Sequence, residues 1–131
     1  MEFNRSKLRE KAMVILYQVD ICKEQKMNYD LEKMIKANLD VDNEFVKDLV
    51  YGVTTYKDSL DEIANSHMEN WSIDRIDKTG AAILRIALYE LKYTETPEIV
   101  VINEAVELAK KFSDDSVRKI INAVLDKVIK E

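Results

Sequence analysis

At 131 residues the chain is about one domain's worth of sequence, with no room for a second catalytic domain. Hydrophobic residues make up 47 % and charged residues 34 %, which excludes both a disordered tail and a membrane protein, and two glycines and one proline leave few positions for tight turns, so helix is expected throughout. A formal charge of −5 excludes a protein coated in positive potential, and one cysteine with one histidine excludes an internal disulfide and the usual zinc ligand sets.

In chain order, Leu8, Ala12, Ile15, Leu16, Val19 and Cys22 fall on one helical face, which predicts a helix from Arg5 with Cys22 as a buried core thiol. Asp30 can cap a short helix over Leu31–Leu39 with Leu31, Met34 and Ile35 inward, followed by a loop from Asn38 to Asn43. From Glu44 the spacing of Phe45, Leu49, Val53, Tyr56, Leu60, Ile63 and Ala64 predicts a long helix that tolerates Gly52 and ends near Asn70, with His67 solvated or capping. Trp71 and Ile73 are expected to pin the next connection to the core. The run Ala81 to Leu91 is apolar almost all round and belongs at the centre of the fold. Pro97 opens the following helix, with Ile102, Ala105, Val106, Ala109 and Phe112 inward; the last helix runs from about Asp115 to Lys130 on Val117, Ile121, Val124, Leu125 and Val128. The expected fold is all-α, a compact bundle of six or seven helices depending on the turn around Asp74 to Lys78.

No apolar run is long enough to span a bilayer, and the opening Met1 to Lys7 lacks the apolar core and small-residue cleavage site of a secretory signal, so a cytoplasmic protein is expected. Charge is unevenly spread. Residues 1–11 carry net +2 through Arg5, Lys7, Arg9 and Lys11, whereas residues 28–74 hold eleven acids against four bases. There is no glycine-rich phosphate loop, no nucleophile with a histidine base and no metal-ligand spacing. Glu107 and Lys111 read as a helix-supporting pair and Asp58 and Glu62 as a solvated face, so the residues point to a binding protein that is not an enzyme and needs no cofactor.

Three blocks carry a resemblance: Ala82-Ile83-Leu84-Arg85-Ile86-Ala87-Leu88-Tyr89-Glu90-Leu91 followed by Pro97, then Val101-Ile102-Asn103-Glu104-Ala105-Val106-Glu107-Leu108-Ala109-Lys110-Lys111-Phe112, then Asn122-Ala123-Val124-Leu125-Asp126-Lys127. In order and spacing they resemble the NusB transcription antitermination factor family, and the opening Arg5 to Tyr17 is similar to its basic first helix. The resemblance covers essentially the whole chain, with residues 23–70 contributing only helix pattern and length. It implies a single RNA-binding helical domain over residues 1–131, made of two small antiparallel sub-bundles. It also implies binding of the boxA element of ribosomal RNA leader transcripts as a heterodimer with the ribosomal protein NusE, in a complex that helps RNA polymerase read through terminators. The same domain occurs fused before an RNA methyltransferase; this chain stops after the helical part, and no methyl transfer is expected.

Family and residues converge on the N-terminus. Arg5, Lys7 and Arg9 can neutralise phosphates, and an arginine plane can stack on an unpaired base. Arg5 and Arg9 align on a helix while Lys7 points elsewhere, so a partly flexible basic arm is expected, with all three side chains off the apolar face begun by Leu8. The family's pattern places the start of the last helix beside it, bringing Phe112, Ser116, Lys119 and Ile120 towards RNA, with Phe112 open to reading as a core aromatic instead. Two departures stand out. Lys119-Ile120-Ile121-Asn122-Ala123 replaces the family's usual Lys-Phe-Val-Asn-Gly, and Ile120 cannot stack on a base. Gly80 stands where the family is usually larger, which would alter a NusE contact on that surface. The competing reading is a helical protein-interaction adaptor or homodimer with little RNA affinity, its acidic middle facing a basic partner.

Overall fold

The computed structural model describes residues 4–131; Met1, Glu2 and Phe3, part of the opening stretch read above, lie outside the described residues. Among the described residues there are six α-helices and one 3₁₀ turn: α1 (Arg5–Glu24), α2 (Leu31–Asn38), α3 (Glu44–Ser66), the turn Ile73–Arg75, α4 (Lys78–Tyr93), α5 (Glu98–Phe112) and α6 (Asp115–Lys130). Local chemistry starts five of the six helices. Asn4, Asp30, Asn43, Asp77 and Asp114 each accept a hydrogen bond from a backbone N–H of the first turn, which satisfies a donor the helix itself leaves free. Pro97 precedes α5 as its cap, one residue outside the first helical position.

The all-apolar run lies where its sequence demands. Every residue of α4 from Gly80 to Glu90 is buried, and α4 packs against α1, α3, α5 and α6. Helices α1 to α3 gather on one side of it and α5 with α6 on the other. Two charges on this buried helix lock it to its neighbours. Arg85 donates to Asp61 on α3 at 2.6 Å and to Asp20 on α1 at 3.0 Å, while Glu90 accepts from Arg9 at the other end of α1. Burial alone would lower the Arg85 pKa, but the hydrogen bond and charge of Asp61, with Asp20, more than offset it and the pKa is raised.

Each glycine sits where a side chain would collide. A Cβ on Gly52 would strike the Tyr89 ring, so α3 and α4 approach closely there. Gly80 is buried, its N–H capped by Asp77 at 2.8 Å and its α-carbon against Val117 of α6. Its small size serves the α4–α6 contact.

Other expectations also change. Trp71 is exposed with Arg75 over its ring at 5.3 Å, and the neighbouring Ile73 alone of the pair is buried and pins the connection. Cys22 is half-buried, at the rim of the α1 stripe. Helix α3 stops at Ser66 and His67 is its C-cap, with Nδ1 2.7 Å from the Ile63 carbonyl and Nε2 against Glu131; the connection then passes through Asn70 at φ 62°. Lys111 pairs with Glu10 of α1 and Lys110 with Glu107, in place of the anticipated Glu107–Lys111 pair.

Candidate nucleic-acid interface

The first helix begins at Arg5, so the basic segment is helical and not an extended arm. Its side chains consequently diverge. Arg5 is exposed and lays its guanidinium 4.6 Å from the centre of the Phe45 ring on α3. Lys7 is exposed on another side, 3.9 Å from Glu10, and shares a shallow groove of about 180 Å³ with Lys11 and the loop Leu39–Asn43.

Arg9 is the largest departure. It is 2 % exposed, donating to both carboxylate oxygens of Glu90 at 2.9 and 2.8 Å, with Glu104 at 3.7 Å. Burial alone would lower its pKa; the Glu90 hydrogen bond and the charges of Glu90 and Glu104 more than offset this, and the pKa is raised. Arg9 therefore lies on the core side of α1, contrary to the expectation that it sits off the apolar face. The signal was present in Ala12, Met13 and Leu16, which follow Arg9 at i+3, i+4 and i+7 and are all buried.

Glu104 also accepts from the Ser6 hydroxyl at 2.7 and 2.8 Å. With the Glu10–Lys111 contact one turn further along, this links α1 and α5 through their side chains, the two helices running in the same direction. The starts of α1, α3 and α5 thus meet at one end of the molecule. Between them lies a groove of about 470 Å³ lined by Arg5, Arg9, Phe45, Asp48, the segment Thr94–Pro97, Val100 and Glu104. Arg9 is neutralised here by Glu90, and the carboxylates of Asp48, Glu95 and Glu104 line the same groove, so the exposed Arg5 guanidinium on the Phe45 face, and not the groove as a whole, is what this end offers an anion.

The other candidates lie at the far end of α5. Phe112 is 45 % exposed at its last residue, so it is a surface aromatic and not a member of the inner face. Ser116 and Lys119 are exposed on the first turns of α6, while Ile120 is half-buried against the core. Ser116 donates to Asp114 at 2.7 Å and Lys119 lies 3.6 Å from Asp115. Backbone and Ser116 hydrogen bonds hold Asp114 below its ordinary pKa, and the Arg118 hydrogen bond and charge do the same for Asp115, the carboxylate beside Lys119. Eight residues of α5, about 12 Å, separate the Glu104 level from Phe112. The sequence candidates therefore form two patches joined by the α1–α5 seam, where Ser6, Glu10, Asn103, Glu107 and Lys111 border a second groove of about 270 Å³. Lys11 and Lys111, exposed beside these patches, were missed as candidates because basic residues on amphipathic helices usually mark no more than a solvated face.

Among the described residues no helix is long and apolar enough to cross a membrane, and no cluster of histidine, cysteine and carboxylate side chains is placed to hold a metal.

Known proteins match this arrangement over nearly its whole length. A transcription antitermination protein NusB from Macrococcus caseolyticus (strain JCSC5402) is 40 % identical over 129 residues, covering 97 % of each chain, and one from Bacillus subtilis (strain 168) is 40 % identical over 127 residues, covering 95 % of this chain and 93 % of its own. Among solved structures, T. maritima NusB superposes with a TM-score of 0.87 at 28 % identity, covering 100 % of this chain and 94 % of that one. A chain in the crystal structure of antitermination factors NusB and NusE in complex with dsRNA superposes with a TM-score of 0.81 at 26 % identity over 96 % of both chains. The NusB family model matches residues 6–130, and with relatives of this identity and coverage the chain belongs to the NusB family.

Proposed function

We propose that this protein is a transcription antitermination factor. It binds boxA-type single-stranded leader RNA of ribosomal RNA operons together with the ribosomal protein NusE, and the assembly helps RNA polymerase read through terminators. The observation that supports this reading is the superposition, over 96 % of both chains, on a chain from the crystal structure of NusB and NusE in complex with dsRNA. The work is binding and not catalysis.

In this reading Arg5 and Lys7 meet backbone phosphates, Phe112 offers a ring to an unpaired base, and Ser116 and Lys119 extend the contact along the α1–α5 seam. Arg9 takes a positioning role: its buried pair with Glu90 holds the first turns of α1 so that Arg5 stands over Phe45. Ile120 supports this edge from its half-buried position and adds no stacking face. A few cations on a chain of charge −5 make a small electrostatic footprint, and a joint surface with NusE supplies more phosphate contacts.

Titration of labelled leader RNA with this protein, with NusE and with their mixture tests the reading. The mixture is expected to bind more tightly than either protein alone. NusE binding that persists with no RNA affinity in the mixture would leave a protein-interaction adaptor in its place.

A further inference from the structure

We infer that the stacked tyrosines Tyr56, Tyr89 and Tyr93 continue the RNA path beyond the helix-start groove and hold bases flanking the core element; this rests on the RNA-binding reading above. The Tyr56 and Tyr93 rings stack with centroids 4.2 Å apart and planes 13° from parallel, and Tyr93 stacks on Tyr89 at 5.6 Å. Tyr89 is buried, its hydroxyl donating to Asp48 at 2.9 Å, whereas Tyr56 and Tyr93 are 41 % and 45 % exposed. Two aromatic rings therefore stand at the surface beside a third that is buried. The backbone is arranged around them: Gly52 leaves room for the Tyr89 ring, and α3 departs from helical geometry at Tyr56, φ −103° and ψ 16°.

Position argues for the occupant. Phe45, Asp48, Gly52 and Tyr56 follow one another along one strip of α3, at i, i+3, i+7 and i+11. The first carries the Arg5 guanidinium in the groove and the last carries the stack, about 16 Å further on, a few nucleotides of extended strand. Asp48 belongs to both, lining the groove and fixing Tyr89. A strand held at Arg5 reaches the tyrosines without leaving α3. Every base has a face that stacks on such a ring, so the added affinity is tolerant of sequence.

The test uses the full chain with NusE and a leader RNA limited to the core element, compared with the same RNA lengthened by a few nucleotides at the 5′ or the 3′ end. One of the two extensions is expected to tighten wild-type binding by about tenfold, within the range for one stacked base. Tyr93→Leu should remove that gain while binding the short RNA normally, and Tyr93→Phe should keep it. A gain that survives Tyr93→Leu, or no gain from either extension, overturns the inference. Failure of the wild-type mixture to bind even the short RNA overturns the RNA-binding reading beneath it. A Tyr93→Leu protein that keeps the extension gain but loses NusE capture assigns the platform to a protein and overturns the inference as well.

Discussion

Arg9 and Glu90, 81 residues apart in sequence, form a two-point ion pair inside the protein, at 2.9 and 2.8 Å, with both side chains almost wholly shielded from water. A pair this deep is costly to break from one side, because the survivor is left as an uncompensated buried charge. Arg9→Ala is therefore expected to lower unfolding stability by about 3–5 kcal/mol, read from the urea midpoint, while Arg5→Ala leaves it unchanged within about 0.5 kcal/mol. Equal midpoints for the two variants would show that Arg9 does not carry the packing of α1.

Gly52 provides a second test of packing. Alanine is the better helix former by about 1 kcal/mol, and on an open surface the substitution would stabilise α3. Here the new methyl group meets the buried Tyr89 ring, and overpacking of this kind costs about 1–3 kcal/mol. Gly52→Ala should come out destabilised in thermal unfolding, and Tyr89→Leu in the same chain should relieve part of the loss. A raised melting temperature in the single variant would contradict the close approach.

The phenol of Tyr89 is pushed up to about 12, first by burial and then by the hydrogen bond and negative charge of Asp48. Its folded pKa lies above the unfolded value near 10, so the folded state binds this proton more tightly. That contribution to stability is complete below pH 10 and is lost as pH rises from 10 towards 12. Alkaline absorbance titration should show one of the six tyrosines ionising last, and Asp48→Asn should bring that step down in pH. An unchanged last step in the variant would remove Asp48 as a cause.

Replacing Arg5, Lys7 and Lys119 with alanine should weaken RNA binding at low salt without loss of helicity, since all three are exposed. If each meets one phosphate, the slope of log affinity against log salt flattens by about 2, at roughly 0.7 per phosphate on a single strand. Phe112→Ala, by contrast, should cost about 1–3 kcal/mol of binding and leave the salt slope alone, as expected of a stacked base. A flat response to the triple substitution, with NusE binding intact, would move the RNA site away from both patches.

The helices themselves were legible from the chain, because they depend on local spacing and local caps. Arg5, Asp30, Glu44 and the span Asp115–Lys130 mark boundaries that the fold reproduces, and the all-apolar run Ala81–Leu91 lies almost entirely within the buried stretch of α4. The family was legible too, since its blocks are contiguous motifs. What spacing within one helix could not decide was which polar residue faces the core. Arg9 needed Glu90 and Glu104, brought in by α4 and α5, before burial of its charge became favourable. The same holds for the exposed rings. Trp71 and Phe112 carry the composition of core residues and lie outside, while Ile73 and Leu108 nearby in the chain are buried. The meeting of three helix starts around Arg5 and the tyrosine stack on α3 were equally beyond the sequence. Both join residues from separate helices, and only the packing of α1, α3, α4 and α5 against one another sets those distances.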